Sequence, residues 1–191
     1  MFIRKHRALV AAFTLSSLCS LPVVGQDADF DPLADGKLTD KELGVVVTSA
    51  QQQLIGLTEK ATEAYRSELT DDQPNMPAAW LLMKDGKTVK RINIDGQDQG
   101  IPAAGRIKMY RAAIKAVAQG GAINAAMILY TGRISEESDI QALVIEHEHR
   151  LGVSANKVVG YEVQGNQILW GEPVTQSKPY EWFYTEQDSN S

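Results

Sequence analysis

The chain has 191 residues, one cysteine, and 19 Lys and Arg against 24 Asp and Glu, a formal charge of −5. That length supports one hydrophobic core without disulfide staples. An acidic balance of this kind repels phosphate backbones, so nucleic-acid binding is not expected.

Residues 1–25 have the three parts of a secretory signal peptide. Arg4, Lys5, His6 and Arg7 form a basic leader, Ala8 to Leu18 a short apolar stretch, and Val23-Val24-Gly25 a small-residue cleavage site before Gln26. The apolar run falls short of the about 20 residues of a spanning helix and contains Thr14, Ser16 and Ser17. Leu18 stands where a lipobox before Cys19 needs a small residue. Cleavage removes Cys19 and three basic side chains, leaving 16 basic against 24 acidic residues. The expected product is a cysteine-free periplasmic or secreted protein with no membrane span, without thiol chemistry or thiolate metal sites.

Residues 26–38 read as an acidic flexible arm. Thr39 and Glu42 then form a capping-box pattern. Leu43, Val46, Val47, Ala50, Leu54, Leu57, Ala61 and Leu69 recur at steps of three and four, which predicts one long helix ending near Leu69. Ala79 to Met83 and Thr88 to Ile94 read as two strands, with Asp85-Gly86 between them suited to a two-residue primed turn. Pro102 suits the first turn of a second helix carrying Ile107, Tyr110, Ile114 and Val117, which stops at Gly120-Gly121.

Four strands follow: a central-looking run from Ala122 to Ile134, then Ile140 to Arg150, Lys157 to Val163 and Gln167 to Trp170. The last two are joined at Gly165-Asn166. The expectation is one α+β domain over residues 39–185, in the order α-β-β-α-β-β-β-β. It has one antiparallel sheet of about six strands with the helices packed on a face. Residues 186–191 read as a disordered tail.

Three constellations could carry chemistry. Residues 31–42 place Asp31, Asp35, Gly36, Leu38, Thr39 and Glu42 at loop positions 1, 5, 6, 8, 9 and 12. That spacing resembles the calcium loop of an EF-hand. The resemblance implies calcium ligands at Asp31, Asp35, Thr39 and Glu42; Leu33 departs from it at position 3, and a capped helix explains Thr39 and Glu42 without an ion. His147 and His149 alternate on one face of a strand and could supply two ligands to zinc. The competing reading is a solvated strand face bearing Glu146, Glu148 and Arg150. Trp170, Tyr180, Trp182, Phe183 and Tyr184 form an aromatic group that could bind a partner or cover the sheet.

There is no glycine-rich phosphate loop, no G-x-G-x-x-G and no G-x-S-x-G, which leans against an enzyme. The strand "IEHEHRLG", the "ILWGEP" segment and the aromatic "EWF" end together resemble small uncharacterised bacterial exported α+β domains of unknown function, across roughly Leu43 to Phe183. The element order is also similar to profilin-like and cystatin-like layouts, which implies ligand or protein binding and no activity. The leading expectation is a non-catalytic domain that binds another exported or surface protein. A small-molecule- or metal-binding domain and a hydrolase without a recognisable motif are the alternatives.

Overall fold

The structure, a computed structural model, describes residues 39–70, 76–94, 100–134, 140–165 and 167–184. The leader, the acidic arm with Asp31 and Asp35, Asn166 and the tail at 186–191 lie outside the described residues.

Helix α1 (Asp40–Thr70) starts at the expected cap. The Thr39 backbone N–H donates to a Glu42 carboxylate oxygen at 2.8 Å, and the Glu42 N–H donates to Thr39 Oγ1 at 3.3 Å. Two donors without intrahelical partners are thereby satisfied reciprocally. The buried stripe is Val46, Ala50, Leu54, Leu57, Ala61, Tyr65 and Leu69. Leu43 and Val47, assigned to that stripe by spacing, are exposed. Leu43 lies beyond the last covered residue, Val46, and Val47 sits about 100° round from it. Tyr65 takes a core position instead. Its hydroxyl donates to the Met76 carbonyl at 2.8 Å and its ring meets Trp80 edge-on at 6.1 Å.

Strands β1 (Ala78–Met83) and β2 (Val89–Arg91) form the first hairpin. Its connection is not the expected two-residue turn but a four-residue loop, closed by the Met83 N–H donating to the Thr88 carbonyl at 2.9 Å. The Asp85 carboxylate takes over the pairing, accepting from the backbone N–H groups of Lys87 at 2.9 Å and Thr88 at 2.8 Å. Gly86 supplies the positive φ of 68° that this loop needs. Helix α2 (Ala103–Gln119) follows Pro102 and ends at Gly120-Gly121. Then come β3 (Ile123–Arg133), β4 (Gln141–His149), β5 (Val153–Gln164) and β6 (Gln167–Ser177).

The six strands form one antiparallel sheet in the order β2-β1-β3-β4-β5-β6, the expected α+β class and element order. Since β2 and β3 both run antiparallel to β1 between them, they are parallel to each other. Their connection must cross a face of the sheet, and α2 makes that crossing.

The helices do not share a face, as the sequence reading had it. On one face α1 packs Leu57, Ala61 and Tyr65 against Trp80, Met127, Leu143 and Ile145. On the other, α2 packs Tyr110 and Ile114 against Ala79, Ala126, Ile128 and Trp182. Strands β1 and β3 are apolar on both faces, and such strands require cover on both sides. All described residues belong to one compact unit, Asp31–Ser191.

Candidate functional site

The polar end of β4 is buried, which corrects its reading as a solvated strand face. Glu146, Glu148 and His149 are at most 1% exposed. Strand β4 runs between β3 and β5, with α1 over part of one face and the segment after β6 over the other, and these cover Glu146, Glu148 and His149. Its charges must therefore be paired.

His147 and His149 do share a face, as strand alternation requires. His149 Nδ1 accepts the Leu151 backbone N–H at 3.0 Å, which places the ring proton on Nε2, and Nε2–H donates to Gln53 Oε1 at 3.0 Å. Both nitrogens are thus engaged. Burial, with the Arg150 charge adding to it, lowers the His149 pKa to about 4 and keeps the ring neutral. His147 Nδ1 lies 3.3 Å from the Ile145 carbonyl, and burial lowers its pKa too. Among the described residues no group of three His, Cys, Asp or Glu is gathered that could hold a metal.

On the opposite face, Glu146 takes a two-pronged contact from Arg111, with Nη2 at 2.8 Å and Nε at 3.2 Å. Glu148 holds Lys178 Nζ at 2.6 Å and accepts the backbone N–H groups of Glu181 and Trp182 at 2.9 Å each and of Phe183 at 3.4 Å. Lys178 Nζ also lies 3.5 Å from Glu146 and 4.7 Å over the Trp182 ring. This network anchors the segment after β6 to the sheet.

The aromatic candidates therefore divide. Trp182 is 1% exposed and fills the core beneath α2, while Phe183 is half-buried beside it. Tyr184 is half-buried, its hydroxyl donating to the Arg150 carbonyl, and it packs edge-on against the partly exposed Tyr180 at 5.3 Å. Trp170 lies elsewhere, at the far end of β6, tilted against Tyr161 at 5.9 Å.

Around Trp170, one of the aromatic candidates, the structure forms a cleft whose other lining residues the sequence did not single out. A cleft of about 780 Å³ opens among the ends of β3, β4, β5 and β6. Its apolar lining includes Ile134, Ile140, Val163, Leu169 and Trp170, each between 40% and 55% exposed. Glu162 and Glu172 are its charged lining groups. The cleft sits where the β5–β6 register slips: Val159 faces Pro173 and Tyr161 faces Trp170, so Gly171 and Glu172 together oppose Gly160. A bulge of this kind bends an edge strand and re-aims its side chains. Glycine stands on both sides of it, where a side chain would be crowded. A Cβ on Gly171 would lie 3.3 Å from the Gly160 carbonyl oxygen, and one on Gly160 would lie 3.2 Å from Ile134 Cδ1.

Sequence signals for this cleft existed but were local. Leu169 and Trp170 are adjacent in a strand, so alternation turns them to opposite faces and cannot bury both in one core. Ile134 and Ile140 are apolar residues on either side of an acidic link.

A second groove, about 870 Å³, runs between α1 and the half of the sheet that α1 leaves uncovered. Leu54, Ile55, Thr62, His147, Lys157 and Trp170 are among its walls. The Thr62 hydroxyl is buried and has no hydrogen-bond partner among the described residues.

No protein-family model, curated protein or solved structure matches the chain.

Proposed function

We propose that this protein is a non-catalytic binding domain, exported by its leader, that engages another exported or surface protein through the cleft around Trp170. One observation carries the reading: Ile134, Ile140 and Leu169 stay between 46% and 55% exposed on one face of the strand ends that line the cleft, with Val163 and Trp170 each 40% exposed at its rim on the other face. Contiguous apolar surface of this kind marks interaction sites, whereas single exposed apolar residues need no explanation. The glycine pair at the bulge supports it, because both bare Cα positions keep the cleft floor low.

A photo-cross-linking residue at position 169, introduced in the cell that makes the protein, tests this. A discrete adduct with a second protein is expected, lost in a Trp170→Ala, Val163→Ala background and absent when the cross-linker sits at the exposed Lys108. Equal labelling from both positions would defeat the reading.

A small-molecule site in the groove beside α1 is the second reading, favoured by the unpartnered Thr62 hydroxyl. A ligand there raises the unfolding midpoint by mass action. That rise should disappear in Thr62→Val and His147→Ala. Zinc titration of the same variants separates a metal from an organic ligand.

A further inference from the structure

Resting on the reading of the Trp170 cleft as a binding surface, we infer that its occupant is a cationic apolar peptide segment, with Lys or Arg flanking an aliphatic or aromatic side chain. The cleft pairs an apolar floor with two carboxylates, Glu162 and Glu172, and among the described residues no lysine or arginine lines it. Arg133 precedes Ile134 in the chain but is not part of the lining. The chain as a whole is acidic, so the long-range field favours a basic partner as well.

Three interactions fit that occupant. An aliphatic or aromatic side chain enters against Ile134, Ile140 and Leu169, where Gly160 and Gly171 present no side chain. A flanking ammonium or guanidinium pairs with Glu162 or Glu172 beside apolar walls that weaken solvent screening. Where the segment passes over the edge strand β6, a second cation can rest on the exposed part of the Trp170 indole at the cleft rim. An acidic peptide or an anionic lipid surface would meet the same carboxylates as like charges.

The test uses the full chain and three fluorescein-labelled pentapeptides of one scaffold: Lys-Leu-Arg-Phe-Lys, its neutral form Gln-Leu-Gln-Phe-Gln and its acidic form Glu-Leu-Glu-Phe-Glu. Anisotropy should show binding of the basic peptide, weaker binding of the neutral one and none of the acidic one. Raising salt from about 0.05 to 0.5 M should weaken the basic peptide selectively. The Glu162→Gln, Glu172→Gln variant should lose about fivefold for the basic peptide, the size expected of exposed ion pairs, and nothing for the neutral one. Trp170→Ala should weaken both.

If the neutral peptide binds as tightly as the basic one and the Gln variant changes nothing, the charge inference falls while the cleft reading stands. If the basic peptide fails to bind at about 1 mM, the inference is overturned, and cross-linking from position 169 decides whether the cleft reading falls with it. Adsorption to phosphatidylglycerol vesicles in place of peptide binding overturns it in favour of a membrane patch.

Discussion

Lys178 Nζ lies 2.6 Å from Glu148 Oε1, a contact between a carboxylate with no exposed surface and an ammonium with 9%. It joins the interior of the sheet to the chain that leaves β6. The same carboxylate accepts three consecutive backbone N–H groups, from Glu181, Trp182 and Phe183. Trp182 is thus held beneath α2 by a charge on β4 as well as by apolar burial.

Removing the Glu148 charge should therefore cost more than removing a surface ion pair. Glu148→Gln leaves the longer contact to Glu146 as the ion pair of the largely buried Lys178, and breaking one side of such a pair costs about 3 kcal/mol. Urea unfolding should show that loss, with Trp182 emission shifting to the red before global unfolding. A Glu148→Met, Lys178→Met double variant should recover part of it, but not all, because the three N–H groups remain without an acceptor. A midpoint unchanged in Glu148→Gln would show that the segment is not anchored there.

Stability should fall on mild acidification through His149. Its folded pKa of about 4 lies below the ordinary value of 6.5, so the unfolded chain binds the proton more readily. The neutral ring's contribution is fully present above pH 6.5, declines as pH falls toward 4, and is gone below it. The loss amounts to roughly 3 kcal/mol. His147, whose pKa is also lowered, adds in the same direction. Urea midpoints at pH 7, 5.5 and 4.5 should fall steadily for the wild type. The fall should be shallower for His149→Gln; equal slopes would remove the histidine from the account.

Gly86 supports the same histidine from below. With φ at +68°, a Cβ there would stand 2.9 Å from Gln53 Nε2, on the side chain whose Oε1 accepts from both His149 and Asn124. Gly86→Ala should cost about 1–2 kcal/mol for the left-handed backbone alone. It should also push the Gln53 amide away from His149 Nε2 and so perturb the ring's titration. Histidine NMR titration reads that second effect, which simple turn strain would not produce.

Glu42 separates two readings of residues 31–42. In the structure its carboxylate holds the Thr39 N–H, a bond that lowers its pKa. With the Thr39 hydroxyl it forms the reciprocal cap at the start of α1. Glu42→Ala should lower the unfolding midpoint by the same amount in chelator and in calcium. A calcium-dependent rise in the wild type that Asp31→Ala and Glu42→Ala both abolish would instead establish the loop as an ion site.

The types and order of the elements were legible because they follow from local physics. Three-and-four spacing with a Thr39–Glu42 cap makes a helix, and apolar runs bounded by Gly120-Gly121 or Gly165-Asn166 make strands. The first hairpin shows the limit of that reasoning. Asp-Gly marked a turn correctly, but the Asp85 carboxylate bonds its own loop and lengthens it.

What the sequence by itself determined was thus the α+β class, the α-β-β-α-β-β-β-β order, the start of α1 and the common face of His147 and His149. The tertiary structure alone decided which residues are covered. Glu146, Glu148 and His149 look like a solvated strand end, and only the place of β4 between β3 and β5, under α1 and the segment after β6, buries them. The cleft likewise depends on long-range register. Ile134 and Ile140, which flank β3 and β4, and Val163 and Trp170, on β5 and β6, come together only through the sheet order and a one-residue slip at Gly160. Periodicity records which side of an element a residue faces; burial depends on what packs against that side, and distant parts of the chain supply it.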